Sequence, residues 1–326
     1  MRAIVRKQYG EADQLSIEQR PDPQAQPGQV LIEVRAFGLN RAEIYMRRGA
    51  WGEVADISGI ECVGLVKADP AGRLATGQKV AALLGGMGRS IPGSYAEYVS
   101  VPADHVVPLQ TELPWEALAA IPESYATAWT SLHHNLALAP GQTLLIRGAT
   151  SALGRAAINI AAHAGAYVIA TTRRLEHTAG LLQLGAKQVL LEESQLAQRV
   201  REWHPDGIDA VLDIIGNSAL LDSLAMARPD GRVCQVGFLG GGEPLALFNP
   251  LQHMPSGVQL SFFGSAMAYG TPAYPLSDVP LQTIVERVAD GTYQAKPAHV
   301  FRFEQIRDAH RLMESNQAGG KLVVCI

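Results

Sequence analysis

The sequence is poor in cysteine and has no long apolar run. Its three cysteines, Cys62, Cys234 and Cys325, are far apart in the chain and odd in number. That usage argues against a disulfide framework and is typical of buried thiols in a reducing compartment. No apolar stretch approaches the roughly 18 residues that a membrane span requires, and the charged N-terminal segment does not resemble a secretory signal. We therefore expect a cytoplasmic protein with no membrane partner.

Positive charge is also scarce. The chain has 27 Lys and Arg residues against 31 Asp and Glu residues, which gives a formal net charge of -4. This balance argues against nucleic acid as a partner, because a polyanion requires a broad basic surface. A small anionic ligand is still permitted, since it needs only a local cluster of positive charge. The length of 326 residues is sufficient for two domains, each with its own core.

Two sequence patterns divide the chain. Up to about residue 120, short β-like runs such as Val30 to Gly38, Glu61 to Ala68 and Lys79 to Gly86 alternate with turn residues. This pattern predicts a partly open antiparallel barrel. From about residue 141, apolar strand patterns alternate regularly with helical ones, starting with Thr143 to Ala149. That alternation predicts an α/β fold with a doubly wound parallel sheet, and the last part of the chain predicts two helices and a closing strand.

A candidate phosphate-binding loop lies between the first strand and the first helix of the predicted sheet. Its sequence is GATSALG, from Gly148 to Gly154. Only Gly154 matches a glycine of the G-x-G-x-x-G pattern, so the motif alone is weak. Because the loop follows a strand and opens a helix, its context favours a pyrophosphate site. We predict that Thr150, Ser151, Ala152 and Leu153 bind the cofactor, the alternative being an ordinary turn of small residues.

The end of the next strand indicates which cofactor is preferred. An acidic residue that would bind ribose hydroxyls is expected there for NAD, but the chain has Thr172, Arg173 and Arg174. A hydroxyl and two guanidinium groups suit a 2′-phosphate through charge-assisted hydrogen bonds. The residues therefore predict NADPH (NADP) as the cofactor. The alternative is a pair of solvated arginines at the start of a helix.

Several of these motifs together resemble one superfamily. The segments GLNRAEIYMRRG (38–49), SGIECVG (58–64), GSYAEYVSVP (93–102) and GQTLLIRGATSALGRAAINIA (141–161) resemble the medium-chain dehydrogenase/reductases. Within them, the chain is most similar to the quinone oxidoreductase, or zeta-crystallin-like, branch. The resemblance implies a GroES-like catalytic domain over residues 1–120, a Rossmann domain over 121–262 and a C-terminal segment, 263–326, that returns to the first domain. It also implies an active site in the cleft between the domains.

The zinc-ligand positions of that superfamily are substituted. Where zinc-dependent members have a cysteine and a histidine, this chain has Asn40 and Ile60. Neither side chain supplies the thiolate or imidazole that zinc prefers, so we predict no metal. Without a Lewis acid, a conjugated acceptor is favoured, because its π-system spreads the charge that hydride transfer creates. We therefore expect an NADPH-dependent oxidoreductase that reduces a quinone or an α,β-unsaturated carbonyl compound.

The resemblance also implies individual site residues. Tyr45 and Asn40 are expected in the catalytic site, where the Tyr45 phenol would donate a hydrogen bond to the developing oxyanion; packing on the cleft wall is the alternative. The residues expected to contact the cofactor are Asn40, Thr127, Gly216, Phe238, Leu239, Gly240 and Lys321. Glu192 stands where the family often has a tyrosine that helps to hold the adenosine phosphate, and an acid there argues mildly against NADPH.

Two other functions and one assembly are compatible with the sequence. A 2-enoyl thioester reductase of the same superfamily would need a basic entrance, for which Arg47, Arg48 and Arg89 are candidates. A non-catalytic NADPH-binding protein is the other alternative. The strand-like segment QLSFFG (259–264) is suited to extending a sheet across a homodimer, as in many members of the superfamily.

Overall fold

The computed structural model describes all 326 residues, and the chain divides into two compact units. Unit 1 consists of residues 1–126 and 265–326, and unit 2 consists of residues 127–264. Unit 1 therefore contains both ends of the chain, whereas unit 2 is one continuous stretch. None of the helices combines the length and the apolar character that crossing a bilayer requires.

Unit 1 is built mainly from antiparallel strands. β1 (Arg2–Arg6) and β2 (Leu15–Gln19) form a ribbon, and a seven-stranded sheet contains β3 (Gln29–Leu39), β4 (Glu61–Ala68), β5 (Lys79–Leu83), β6 (Tyr98–Pro102), β7 (Val106–Pro108), β14 (His299–Arg302) and β15 (Leu322–Cys325). The sheet order is β14-β15-β3-β4-β5-β7, with β6 paired to β3. All pairs are antiparallel except β14 with β15.

The apolar alternation of β3 shows why this sheet forms. Val30, Ile32 and Val34 are buried on one face, while the residues between them are partly exposed. This period of two places one face of the strand in the core. The Phe37 ring stacks on the Tyr95 ring with their centroids 4.6 Å apart, deep in the same cluster.

Unit 2 is a parallel sheet with helical crossovers. Its strands are β8 (Thr143–Arg147), β9 (Tyr167–Thr172), β10 (Gln188–Leu191), β11 (Ile208–Asp213), β12 (Ala227–Gln235) and β13 (Gln259–Phe262), in the order β10-β9-β8-β11-β12-β13. All five pairings are parallel. The order reverses between β8 and β11, and this reversal is the topological switch point at which sheets of this kind bind ligands.

The helices are short in both units. They are α1 (Arg41–Arg47), α2 (Trp115–Leu118), α3 (Pro122–Thr130), α4 (Ala152–His163), α5 (Thr178–Gln183), α6 (Leu196–Trp203), α7 (Leu220–Met226), α8 (Pro250–His253), α9 (Ser265–Ala268), α10 (Leu281–Ala289) and α11 (Ile306–Glu314). A five-residue π-helix, Ser131–Asn135, follows α3.

The predicted α/β class with a parallel doubly wound sheet is confirmed, and two local predictions need correction. The strand expected from Lys79 to Gly86 ends at Leu83, because Leu84, Gly85 and Gly86 have positive φ angles of 62°, 62° and 92° that no extended strand adopts. The strand β14 was not anticipated from the sequence. Three of its four residues are exposed and the fourth is partly exposed, so its pattern lacks the alternation that signals a strand.

Candidate functional site

The loop between β8 and α4 is a tight turn that opens a helix. Gly148 has a left-handed φ of 77°, and the Ser151 side chain caps α4 by accepting a hydrogen bond of 3.1 Å from the Gly154 amide. A side chain on Gly154 would put its Cβ 2.6 Å from the Ala149 Cα, so only glycine permits this close approach. The amides of Ala152 and Leu153 begin the helix, where no intrahelical carbonyl is available. Such a helix end suits a phosphate.

The segments that follow β11 and β12 meet beside this loop. The amide of Leu239 donates to the Ile214 carbonyl at 3.1 Å, and the amide of Gly240 donates to the Ile215 carbonyl at 2.9 Å. A Cβ on Gly148 would lie 3.0 Å from Leu239 Cδ1. The structure therefore brings the phosphate loop and the predicted contacts Leu239 and Gly240 together at the switch point of the sheet.

Gly216 and Phe238 belong to the same edge. The Asp213 carboxylate accepts the Gly216 amide at 2.8 Å, and a Cβ on Gly216 would lie 2.5 Å from the Gly237 carbonyl oxygen. The Phe238 and Phe262 rings lie 5.8 Å apart. Thr127 is a further candidate in unit 2. The residue is buried, and its carbonyl accepts a hydrogen bond of 2.8 Å from the Ser131 hydroxyl.

The two arginines after β9 are exposed and have few interactions within the protein. Thr172 is buried, and its Oγ1 accepts the Arg174 amide at 3.2 Å, which turns the chain sharply at the strand end. Arg174 reaches Glu176 only at 3.5 Å, between exposed side chains, and Arg173 forms no ion pair. An exposed pair at this separation contributes little stability. Both guanidinium groups are therefore available to an anionic ligand.

Glu192 has protein partners that the sequence did not reveal. Its carboxylate accepts hydrogen bonds from Arg147 Nε at 3.1 Å and from the Thr171 hydroxyl at 2.7 Å. The Arg147 guanidinium is buried and also binds Asp222 at 2.9 Å. Because an internal cation compensates the negative charge of Glu192, this acid is a weaker argument against a nearby phosphate than the sequence suggested.

In unit 1, Asn40, Glu61 and Lys321 form a buried polar cluster. The Lys321 ammonium donates to the Asn40 side-chain oxygen at 2.7 Å and also forms an ion pair with the Glu61 carboxylate. The Asn40 amide donates to Glu61 at 2.8 Å. Glu61 is 0% exposed and Lys321 is 5% exposed. A Cβ on Gly38 would lie 2.4 Å from Lys321 Cε, so this glycine makes room for the lysine.

Glu43 adds a second buried carboxylate beside this cluster. It accepts hydrogen bonds from the backbone amide of Asn40 and, at 3.2 Å, from that of Ile60. Burial raises the pKa of Glu43 to about 8, against the opposing effect of these amides and of Lys321. The cluster fixes the start of α1, because Asn40 is the residue that caps this helix.

Tyr45 lies on α1, half-buried next to an exposed tryptophan. Its ring centroid is 6.2 Å from that of Trp51. Burial raises the pKa of the Tyr45 phenol, while the positive charge of Arg41 opposes the rise. The phenol therefore stays protonated near neutral pH and can act as a hydrogen-bond donor.

A cavity of about 650 Å³ opens beside Trp51, within the usual size range of small-ligand sites. Arg89, His105 and Met267 also line it. Of these, only Arg89 was a candidate from the sequence. His105 was missed because a lone histidine in a turn carries no motif, and only the fold brings it to the cavity.

One sequence prediction about charge is wrong. Arg47 was a candidate for a basic entrance, but it is 0% exposed and is ion-paired with Glu314. Arg48 is exposed and also pairs with Glu314, at 2.9 Å. α1 rotates each successive side chain by about 100°, so the first arginine faces the core and the second faces solvent.

The donor set around Asn40 does not suit zinc. No group of three or more His, Cys, Asp or Glu side chains is arranged to hold a metal ion. Ile60 provides no donor, and burial raises the pKa of the nearby Cys62 thiol, which disfavours the thiolate that a metal requires. The ammonium of Lys321 supplies the positive charge beside Asn40 and Glu61.

Comparisons with known proteins agree with this architecture. A model of the alcohol dehydrogenase GroES-like domain matches residues 26–111, and one of the zinc-binding dehydrogenases matches residues 152–277. A quinone oxidoreductase of Lama guanicoe is 30% identical over 254 residues, which cover 74% of each protein. The Escherichia coli quinone oxidoreductase, solved in complex with NADPH, shares the fold with a TM-score of 0.87 over 100% of both chains, at 21% identity.

The chain is also similar to part of a much larger protein. It is 29% identical over 335 aligned positions to a phenolphthiocerol/phthiocerol polyketide synthase of Mycobacterium tuberculosis. This match covers 100% of the chain but spans only 15% of that relative.

Unit 1 and unit 2 thus contain the two domain types of one class of two-domain α/β proteins, a GroES-like domain and a Rossmann-type sheet. The chain belongs to the medium-chain dehydrogenase/reductase superfamily, in its quinone oxidoreductase branch. The fold class and the family that the sequence suggested are confirmed.

The buried ion pair yields a stability prediction. Lys321→Met should lower the free energy of unfolding by about 3–5 kcal/mol, because it leaves the Glu61 carboxylate buried without a compensating cation. The double variant Lys321→Met/Glu61→Met should lose less stability than Lys321→Met alone, since it removes both buried charges. Urea unfolding measures both values. Arg35→Gln, which breaks a partly exposed pair with Glu33, is the control and should lower the free energy of unfolding by less than about 1 kcal/mol. A single variant no less stable than the double would contradict the prediction.

Proposed function

We propose that this protein is an NADPH-dependent oxidoreductase that reduces a conjugated acceptor, a quinone or an α,β-unsaturated carbonyl compound, without zinc. The observation that carries the proposal is the buried cluster of Asn40, Glu61 and Lys321, in which an ammonium group stands beside the positions of the zinc ligands. The family membership and the sheet of unit 2 support a nicotinamide cofactor.

The residues of unit 2 fit the charged groups of NADPH. The amides of Ala152 and Leu153 at the start of α4 would bind the pyrophosphate, and Arg173 and Arg174 would bind the 2′-phosphate. The E. coli relative of the same fold was solved with NADPH, which supports this choice. Bound NADPH would supply the hydride.

The residues of unit 1 favour an acceptor that spreads negative charge. Because Glu61 compensates the charge of Lys321, and the ammonium also donates to Asn40, we expect Lys321 to be a poor substitute for a Lewis acid at an isolated alkoxide. Tyr45 is a protonated phenol beside the cavity residue Trp51. We assign to Tyr45 a hydrogen bond to the developing enolate or phenolate oxygen of the acceptor. Asn40 would act by holding the start of α1 in place.

Reduction of an enoyl thioester is the second candidate, and the similarity to a polyketide synthase segment favours it. The basic entrance that it requires is weakened, because Arg47 is buried and Arg48 is ion-paired. The exposed edge strand β13, with Phe262 51% exposed, supports a homodimer, which a sedimentation measurement of mass tests.

A panel of acceptors tests the function. We expect NADPH oxidation with quinones and small enones, slower oxidation with enoyl thioesters and aldehydes, and less than stoichiometric zinc in the purified chain by elemental analysis. Faster turnover of the enoyl thioester would favour the second candidate. No oxidation with any acceptor would favour a non-catalytic NADPH-binding protein, and one zinc per chain would refute the zinc-free mechanism.

The choice of cofactor depends on the two arginines after β9. Arg173→Glu combined with Arg174→Glu should reduce the preference for NADPH over NADH at least about tenfold, because charged hydrogen bonds contribute about 1.5–3 kcal/mol each. Dissociation constants for both cofactors measure the preference. Arg199→Glu, which changes another exposed arginine of unit 2 that is paired with Glu193, should leave it unchanged. If the double variant retains the preference, the phosphate assignment is wrong.

A substitution can separate a hydrogen-bonding role of the Tyr45 phenol from a packing role of its ring. Tyr45→Phe should lower kcat about 100-fold, the scale on which a positioned proton donor acts, with little change in NADPH affinity. Steady-state kinetics and cofactor titration measure the two effects. Tyr167→Phe, at an exposed tyrosine of unit 2, is the matched control. A variant with unchanged kcat would show that Tyr45 only packs against Trp51.

A further inference from the structure

The cavity of unit 1 has an asymmetric distribution of charge. Trp51, Arg89, His105 and Met267 contribute to its wall. We propose that this cavity selects conjugated acceptors that carry an anionic group, such as a carboxylate or sulfonate, and that Arg89 binds that group. This inference rests on the proposed function, because it names the class of acceptor.

Arg89 is held in place but is not neutralised. Its Nη1 donates to the Ala266 carbonyl at 2.7 Å, and its guanidinium carbon lies 5.9 Å from the centre of the Trp51 ring. It forms no ion pair, although it is only partly exposed. The Ala266 bond uses one of five N–H groups. A preoriented guanidinium with donors to spare is suited to the two oxygens of a carboxylate or sulfonate.

Two other arginines of unit 1 are bound by carboxylates, whereas some arginines of this unit are bound only by carbonyl groups. Arg2 binds Glu97 at 2.7 Å and Glu304 at 3.0 Å, and the buried Arg47 binds Glu314. Arg89 has no equivalent carboxylate, even though it faces a cavity large enough for a ligand. A ligand anion would provide the missing charge.

Glu53 is the acidic group of the cavity wall and opposes an anion. It is exposed and forms no ion pair with Arg89. Water and salt screen an exposed carboxylate more strongly than a partly buried guanidinium. The inner wall around Arg89 therefore remains positive, and the anionic end of the ligand belongs there.

His105 also lines the cavity, and it offers a different kind of contact. Its Nδ1 lies 3.1 Å from the Leu83 carbonyl oxygen, which can only accept, so the neutral ring carries its proton on Nδ1. Nε2 then presents a lone pair. A Cβ on Gly270 would lie 2.4 Å from this Nε2, so only a glycine fits this closely against the His105 ring. A hydroxyl or N–H group of the ligand fits at His105, and the anion fits at Arg89.

A pair of matched acceptors tests the proposal. The probes are 1,4-naphthoquinone and its 2-sulfonate, compared at saturating NADPH by the ratio of their kcat/KM values. Arg89→Gln keeps an N–H donor for the Ala266 carbonyl but removes the charge, and it should lower the ratio of sulfonate to neutral quinone at least about tenfold. Arg89→Lys should restore part of the ratio, and Arg35→Gln, at a partly exposed arginine that does not line the cavity, should leave it unchanged. An unchanged ratio in Arg89→Gln, or an equal loss for both quinones, overturns the proposal.

Binding without turnover separates this proposal from the proposed function. Tryptophan fluorescence reports the binding of 2-naphthalenesulfonate and of neutral 2-naphthol, with Trp51→Phe identifying the signal from the cavity. The affinity of the sulfonate should be at least about tenfold higher for the wild type than for the Arg89→Gln variant. Naphthol should bind the two proteins equally. If no quinone or enone is reduced, the proposed function fails, while the sulfonate titration still decides whether Arg89 binds anions. If Arg89→Gln does not fold, the wild type alone tests the proposal. Equal affinity for the sulfonate and for naphthol then overturns it. Tighter binding of the sulfonate that weakens with added salt supports it.

Discussion

The pairing of Lys321 with Glu61 joins two parts of the chain that are 260 residues apart. Two charges that are both removed from water must remain together, because breaking such a pair leaves an uncompensated buried ion. Glu61 begins β4, Lys321 precedes β15, and Gly38 on β3 lacks the side chain that would block the lysine. The order of these strands in the sheet of unit 1 is therefore coupled to one electrostatic contact.

The same contact reaches Asn40 at the N-terminus of α1, the helix that carries Tyr45. Asn40 binds both partners of the ion pair and also caps the helix, so the polar cluster connects the ion pair to the N-terminus of α1. Lys321 and Arg89, two cationic groups of unit 1, have different surroundings. Lys321 is fully compensated inside the protein, whereas Arg89 faces a cavity without an acidic partner.

Much of unit 2 was predictable because its signals are local. The continuous apolar run of β8, the helical spacing of α4 and the small residues between them lie within about 20 consecutive residues, and the hydrophobic periodicity of such a segment is preserved in any fold that buries it. The exposed positions of Arg173 and Arg174 follow equally from their place at the end of β9. The partner of Glu192 was not predictable, since Arg147 is 45 residues away in sequence.

Unit 1 shows which features could not be predicted from the sequence. Composition, periodicity and motif resemblance were sufficient for the fold class, the family, and the substitution of the zinc-ligand positions by Asn40 and Ile60. The sequence did not distinguish Arg47, Arg48 and Arg89, which are chemically identical. Tertiary structure buried the first against Glu314, exposed the second and placed the third in a cavity beside His105. Local sequence determines which groups are present and which elements they occupy, but the solvation and partners of a charge depend on residues distant in the chain, and these are set only when the elements pack.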